Sequence, residues 1–575
     1  MSRTAEQAPL LAQQSRDAQP RYGAAQPEGA AEPGSASEPA PSAHGETDVP
    51  FPPLRVLLPL LFTIWVPVFA ASLDGTVVAT LVGSIASDFE ASEQAAWLGS
   101  SYLLSVCCFT PIYGRLCDII GRRRALLTAL TFFVTGTFGC GVAQSMGQLI
   151  AARGLAGVGG GGLAVVNSTI MSDVIPLRHR GLMQGLTNII FGLGSGLGGP
   201  VGGFANDKLG WRSAFMLQMP ILGVALVAAL FVPLSPPNQP PKPSPLAGLG
   251  WTDKLLLIDG LGSLFLVGTV GSSLISLSLM SAQDLSFSEP VVWGGLVAGA
   301  ASAVAFVCVE LWVARKPILP IPLLLQRTGG SVALANFALA VMSFALLYNF
   351  PLWFQAVKLQ SASEAGLHLI PNSIGLSVSS VTAGLYMRWR GVYWAYNLVH
   401  AGLMLGGSLI VLSFTAGTPE WLTYAGIVPS GVGVSGVLTC TLIALINSVP
   451  REDIAVATAM SYLFRTSGQV VGVALSGAIL QAKLRTELEK RISGPDAAKT
   501  IAAIRHQSSI IPTLPAHERA AAVAAYAVAL RWVFGFVAAA ALVTLLSCIT
   551  IENRTLPEHT KSSTDDAEQP ADAED

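Results

Sequence analysis

Apolar runs of about 20 residues recur along the chain with short charged clusters between them, and each run is long enough to cross a bilayer as an α-helix. The runs place helices near 56–82, 94–113, 125–144, 148–172, 182–205, 213–234, 255–280, 291–314, 331–354, 364–386, 392–415, 421–447, 454–481 and 528–550, fourteen in all. Helices are expected because an isolated strand leaves backbone groups unpaired in lipid. The runs are also too long, and alternate too rarely, for an outer-membrane barrel. The pattern therefore predicts an all-α membrane protein. An even number of crossings puts both termini on one side. Arg115, Arg122, Arg123, Arg124, Arg178, Arg180, Arg315, Lys316, Arg327, Arg388, Arg390 and Arg451 fall in alternate short loops, which by the positive-inside rule face the cytosol.

Composition narrows the class. With 51% hydrophobic and 12% charged residues among 575, the chain has too little charge to cover several soluble domains. Its net charge of -2 balances 33 basic against 35 acidic residues, and no basic stripe carries interleaved aromatics, so no nucleic-acid partner is expected. Cys107, Cys108, Cys117, Cys140, Cys308, Cys440 and Cys548 lie in or beside the runs, with no CxxC. Neither a disulfide scaffold nor a metal site is expected, and no cofactor. Polar residues such as Ser172 and His179 have no triad or ligand spacing around them, so the chain does not read as an enzyme.

The same reading divides the chain. Residues 1–52, rich in Ala, Pro, Ser, Glu and Gln, form an expected disordered cytosolic tail with no signal-peptide pattern. Residues 53–234 are an expected six-helix bundle, and 235–254 a proline-rich cytosolic linker within the stretch that begins "PLSPPNQPPKPSP" at Pro233. An inserted helix pair and connector follow at 255–330. A second six-helix bundle takes 331–550, with a lumenal loop at 482–527, and 551–575 form an acidic cytosolic tail.

Intramembrane charge marks candidate chemistry, since an ionised side chain at mid-bilayer costs about 2.5–3.5 kcal/mol on insertion scales. Asp74 is the one acid placed well inside a run. Asp259 and Glu310 are expected nearer run ends, hydrated by water and headgroups. Counting 1.5 Å per residue, Asp74 on the first helix and Arg153 on the fourth fall in the same lumenal half, so the two can meet. Such a pair can load and release a proton, or serve as a structural ion pair only. Arg465, about 16 Å into the thirteenth helix by the same count, needs a partner: a substrate anion or a fixed acid in the bundle.

Four local patterns add to this. The loop after the second helix reads Gly114-Arg-Leu-Cys-Asp118-Ile-Ile-Gly121-Arg122-Arg123-Arg124. Its glycines allow close backbone approach, and Asp118 can gain or lose a cationic partner between conformations; the plain alternative is a basic loop that sets topology. The fourth helix carries Arg153-Gly-Leu-Ala-Gly157-Val-Gly159. The fifth carries Gly199-Pro200-Val-Gly202-Gly203, where glycines permit sliding contact and Pro200 a bend, or ordinary small-residue packing. The first carries Asp74-Gly-Thr-Val-Val-Ala-Thr80.

These patterns resemble the signatures of the major facilitator superfamily: its cytosolic gating motif, its R-x-x-x-G-x-G pattern with Ala156 where glutamine is common, its antiporter signature with one spacer missing, and the first-helix signature of drug:proton antiporters. The resemblance spans about Phe51 to Thr550. It implies a major facilitator fold of two six-helix bundles plus two inserted helices, with gating at Gly114, Asp118, Gly121 and Arg122 to Arg124. It also implies proton coupling at Asp74 and Arg153, and a solute site that includes Asp74 and Arg465. With Trp97-Leu-Gly-Ser-Ser-Tyr102, Gly210-Trp211-Arg212, Gly366-Leu-His-Leu-Ile-Pro371 and Tyr462-Leu-Phe-Arg465, the chain is similar to the fungal vacuolar basic amino acid transporter family. Glu6-Gln-Ala-Pro-Leu10-Leu11 fits an acidic dileucine sorting signal. The expected partners are a small-molecule substrate, protons and the lipid bilayer, acting on a monomer. Three functions remain open: proton-driven export of basic amino acids into a vacuole, export of drugs, toxins or amphiphilic metabolites across the plasma membrane, and a non-transporting nutrient sensor.

Overall fold

The computed structural model describes residues 52–556 apart from 90, 92–93, 95–96, 235–258, 283–288, 315–318, 320, 361, 451–452, 494–496 and 507. The N-terminal tail with its dileucine pattern, the linker 235–254, the acidic tail from 557, and Arg315, Lys316 and Arg451 lie outside the described residues, as does the side chain of Arg178.

Every apolar run finds its helix: α1 Leu54–Asp88, α2 Trp97–Ile120, α3 Arg122–Val142, α4 Met146–Val174, α5 Leu177–Leu209, α6 Trp211–Phe231 and α7 Gly260–Ala282. The series continues with α8 Pro290–Trp312, α9 Arg327–Val357, α10 Ile370–Arg390, α11 Trp394–Leu412, α12 Glu420–Ile446, α13 Ile454–Arg491 and α14 Ala516–Ile549. Local chemistry sets the ends. Ser145 accepts a hydrogen bond from the Gln148 amide at 3.3 Å while the Gln148 side chain accepts from Gln144, closing the start of α4. Gly391, at φ 69°, takes the left-handed turn that ends α10. α6 and α12 are each interrupted by one turn, and Pro220 and Pro429 stand in the first turn of the segment that follows.

α1 to α6 pack as one bundle and α9 to α14 as another. Lipid tails are as apolar as the helices, so close packing has to supply the attraction. Small residues make it possible. A Cβ on Gly157 would lie 2.8 Å from Ser105 Cβ of α2, and one on Gly159 2.5 Å from the Ala129 carbonyl of α3, so α4 touches a helix on either side. The two bundles meet along two seams, α5 on α10 and α2 on α13, with α7 lying against the second. Among the described residues, eleven of the helices are long and apolar enough to cross a membrane by composition. α5 and α10 are less apolar, and both border a seam.

Two expectations change. The segment 482–527 is largely helical rather than a loop: α13 runs on to Arg491, a helix spans Ala497–His506, and α14 begins at Ala516. Leu484, Leu488 and Ile492 recur at four-residue spacing and are buried in one core with Ile504, Ile511, Ala522 and Tyr526. The interleaved charges that broke the apolar run pair along the outer face, as Arg485 does with Glu489 at 2.8 Å. Glu310 does lie near the end of α8, but it is enclosed rather than hydrated, 6% exposed, with Oε1 accepting from the Leu319 amide at 3.2 Å because the chain after α8 folds back over it.

Candidate functional site

Asp74 lies 20 residues into α1 and Arg153 seven residues into α4, and the helix crossing brings them together. Arg153 Nη1 donates to Asp74 Oδ2 at 2.6 Å, with side chains 2% and 0% exposed. Arg153 Nε also donates to the Leu98 carbonyl at 3.3 Å, and its guanidinium lies 4.6 Å from the centre of the Tyr102 ring. Asp74 Oδ1 is buried without a hydrogen-bond partner. A sealed pair of this kind is costly to desolvate and costlier to break on one side only. Changing the charge of Asp74 therefore changes how firmly α1 is held to α4.

Arg465 is half-buried on α13. Its guanidinium lies 4.1 Å from the centre of the Tyr462 ring, and its Nε is buried with no hydrogen-bond partner. The next two residues face the other bundle: Cys107 Sγ of α2 lies 3.1 Å from Thr466 Oγ1 and 3.4 Å from Ser467 Oγ. Arg465 thus sits beside the α2–α13 seam with donor capacity unspent.

The Gly114–Arg124 segment turns between α2 and α3 at Gly121, whose φ of 87° and ψ of 156° only glycine adopts readily. Arg122 is clasped by two carboxylates, Asp118 at 3.0 Å and Asp173 of α4 at 2.8 Å. Arg123 donates to the last carbonyls of α6, Ala229 at 3.0 Å and Leu230, where the helix dipole favours a cation. Arg124 is engaged elsewhere. Asp118 pairs with Arg122 of its own bundle, and at Gly114 the other bundle comes close, where a Cβ would lie 2.6 Å from Ala459 Cβ of α13.

Among the α5 glycines that the sequence offers from Gly192 to Gly203, the tightest contacts fall at Gly194 and Gly198, before the Gly199–Gly203 motif. A Cβ on Gly194 would collide with Ser72, and one on Gly198 would lie 2.5 Å from the Leu73 carbonyl of α1. Gly202 meets Val77 Cα at 3.3 Å, Gly199 meets Thr80 Oγ1 only at 3.7 Å, and Gly203 meets nothing within 4 Å. Pro200 lies within α5, which continues through it.

Near the Arg122 end the bundles close on each other. A Cβ on Gly185 of α5 would lie 2.7 Å from the Ser380 carbonyl of α10, and one on Gly384 would lie 2.5 Å from the Gly181 carbonyl carbon. Asn188 donates to Ser380 Oγ across the same seam at 2.7 Å. The void between Ser168, Ser172, Arg180 and Gln184 of one bundle and Leu442, Ile443 and Ile446 of the other has a volume of about 10 Å³, room for a single water. Toward the other end of α5, at Gly196 and Gly203, a Cβ would meet nothing within 4 Å. The molecule is shut at its motif-bearing end.

Sequence reasoning had paired Asp74 with Arg153 but missed Asp173, Asn188, Ser380 and Cys107. Asp173 carried a signal, an acid at the end of a run facing three arginines. The other three are ordinary polar residues whose partners lie more than 190 positions away.

Residues 64–473 match the Major Facilitator Superfamily model. The multidrug resistance protein fnx1 of Schizosaccharomyces pombe is 38% identical over 83% of this chain and 89% of its own length. The vacuolar basic amino acid transporter 1 of Saccharomyces cerevisiae is 30% identical over 73% of this chain and 77% of its own. Among solved structures, the proton:xylose symporter XylE bound to 6-bromo-6-deoxy-D-glucose superposes with a TM-score of 0.55 at 14% identity, covering 87% of this chain and 98% of that one.

Proposed function

This chain belongs to the major facilitator superfamily, and from that premise we propose that it moves small organic solutes out of the cytosol in exchange for protons, with basic amino acids loaded into the vacuole as its task. Membership makes it a multi-pass membrane transporter and not an enzyme. The observation that carries the exchange reading is the sealed Asp74–Arg153 pair with one carboxylate oxygen unsatisfied. Protonating Asp74 removes the charge that Arg153 balances, so proton arrival and the α1–α4 contact are linked. Exchange follows if solute and proton each favour opposite states of that contact, since a ligand shifts an equilibrium only by its differential affinity.

Arg465 supports a carboxylate on the solute, because its free Nε offers a charge-assisted hydrogen bond beside the seam where the bundles must separate. An amino acid supplies that carboxylate. The vacuolar location rests on the named relative at 30% identity. The second reading, export of drugs or toxins across the plasma membrane, is favoured by the 38% identical relative named for multidrug resistance. A knockout screened for vesicle uptake of Lys, Arg and His against amphiphilic toxins separates the two.

The coupling test is Asp74→Asn, which fixes the neutral form at nearly constant volume. In sealed vesicles under a pH gradient, uphill transport should fall to the level of protein-free vesicles while protein abundance stays at wild type. Wild-type pH dependence in that variant eliminates Asp74 as the coupling group.

A further inference from the structure

Tyr102 completes the Trp97-Leu-Gly-Ser-Ser-Tyr102 pattern that opens α2. Leu73 and Val77 flank Asp74 on α1, and Leu149 precedes Arg153 by one turn on α4; with Leu98 and Cys140 they form one core, each 4% exposed or less. Tyr102 differs. Its ring centre lies 4.6 Å from the Arg153 guanidinium, yet the residue is only half-buried. The sealed pair therefore borders open space through Tyr102.

The ring has a built seat. A Cβ on Gly157 would collide with the Tyr102 carbonyl, and one on Gly160 with the Tyr102 hydroxyl oxygen while lying 3.0 Å from Cζ, so α4 makes room for the ring by carrying no side chain there. One turn earlier on α2, the Leu98 carbonyl accepts from Arg153 Nε at 3.3 Å. α2 thus holds the guanidinium from its backbone and covers it with a ring face, a contact that strengthens where water is excluded. Five residues on, Cys107 meets Thr466 of α13 across the seam. Pro111 lies beyond both, so Tyr102 and Cys107 share one uninterrupted stretch of helix.

We propose that Tyr102 is a positioning residue of the Asp74–Arg153 pair: its ring is a lid that keeps water, and with it the proton, off the pair until α2 shifts. This role rests on the exchange reading of Asp74. Parting of the α2–α13 seam displaces the helix that carries the ring, so proton access to the pair follows the movement of the bundles.

The experiment uses the full chain reconstituted in sealed vesicles, with a water-soluble carbodiimide and glycine ethyl ester as the probe. Peptide mass spectrometry reads amide formation at Asp74 against that at Asp88, the half-exposed acid at the end of the same helix. Tyr102→Ala should raise Asp74 labelling roughly 5- to 30-fold, the worth of a desolvated cation–π contact. Tyr102→Phe keeps the ring and should label within about twofold of wild type. Gly160→Ala displaces the ring through its hydroxyl and should also raise labelling, a rise that Tyr102→Phe in the same chain should largely cancel. Under a pH gradient, Tyr102→Ala should lose uphill accumulation of lysine, arginine and histidine at wild-type abundance, because the proton then reaches Asp74 in either state, and Tyr102→Phe should keep it. Equal Asp74 labelling in wild type, Tyr102→Ala and Gly160→Ala overturns the lid, as does a rise in Tyr102→Phe that matches Tyr102→Ala. Raised labelling with wild-type accumulation overturns the role in coupling. Wild type that accumulates none of the three amino acids overturns the exchange reading and this coupling role with it, while the labelling still reads the lid.

Discussion

Replacing Gly384 by alanine tests whether the contact between α5 and α10 is the closed gate at the motif-bearing end. The added Cβ would lie 2.5 Å from the Gly181 carbonyl carbon, and the Leu182 backbone is as near. Ordinary van der Waals contact begins near 3.4 Å, so the helices must part by about 1 Å at the crossing. No rotamer relieves this, because the obstructing atoms are backbone. Overpacking of this kind costs about 1–3 kcal/mol. The cost falls on the closed conformation alone if the crossing opens in the alternate one, which shifts the balance toward opening roughly 5- to 150-fold.

A cysteine placed at Gln184, which lines the 10 Å³ void, reports that shift through its rate of reaction with a membrane-impermeant thiol reagent applied from the motif-bearing side. Most native cysteines are buried, and only Cys308 is partly accessible, so a Cys308→Ser background suffices. Gly384→Ala should raise the labelling rate by the stated factor. Gly203→Ala on α5, where a Cβ meets nothing within 4 Å, should leave it unchanged. An unaltered rate in Gly384→Ala at normal abundance would refute the assignment of this crossing as the gate.

Three further outcomes are expected. Asp118→Asn removes one of the two carboxylates on Arg122 and should slow all substrates alike by about fivefold, the worth of a partly exposed pair near 1 kcal/mol; a changed order of preference among substrates at equal abundance would contradict this. Arg465→Lys keeps the charge but loses the fork, so the apparent affinity for carboxylate-bearing solutes should fall about tenfold against carboxylate-free ones, the value of one charge-assisted hydrogen bond, and unchanged relative affinities would assign Arg465 a structural role. Outside the membrane span, the Trp211 indole N–H at 2.9 Å and then Arg212 at 3.1 Å hold the Asp88 carboxyl below its ordinary range. A lowered folded-state pKa contributes stability above the unfolded value near 3.9 and loses it as pH falls through the folded value. The Tm difference between wild type and Asp88→Asn should therefore be constant from neutral pH to about pH 5 and shrink below about pH 4, with a difference that persists down the acid limb telling against the contact.

How much of this was legible depended on what each feature needs. The fourteen helices were readable because a bilayer imposes a length and a composition on every crossing segment separately. Asp74 and Arg153 were readable as a pair because each was a costly charge within its run at a matching depth, and two such charges have few partners besides each other. The helical hairpin after α13 was not, since Lys483, Arg485, Glu487 and Glu489 interrupt the apolar run, and only the four-residue spacing of Leu484 and Leu488 betrays a buried face. The contacts across the seams were the least legible. Asn188 and Ser380 are 192 positions apart, and neither is costly enough in its own helix to demand a partner.

The glycines sort the seams by what each must do. Gly157 and Gly159 let α4 settle against α2 and α3 within one bundle, and Gly194 and Gly198 let α5 settle against α1. These contacts stay inside one bundle. Gly114, Gly185 and Gly384 instead bring backbone against the opposite bundle, where alternating access of the proposed kind would require the contact to form and release in each cycle. Small residues suit that purpose because they give van der Waals contact over a flat surface without interdigitated side chains that would have to be unlocked. Two polar contacts across the seams are short and neutral, Asn188 with Ser380 and Cys107 with Thr466. Each is worth about 1 kcal/mol or less in a membrane, strong enough to register the closed state and weak enough to let it go. The buried ion pair of Asp74 with Arg153 lies inside a bundle. On the proposed exchange mechanism, the strong interaction that a proton would switch is kept apart from the weak ones between the bundles, and the two meet through α1, which carries Asp74 and packs along α5.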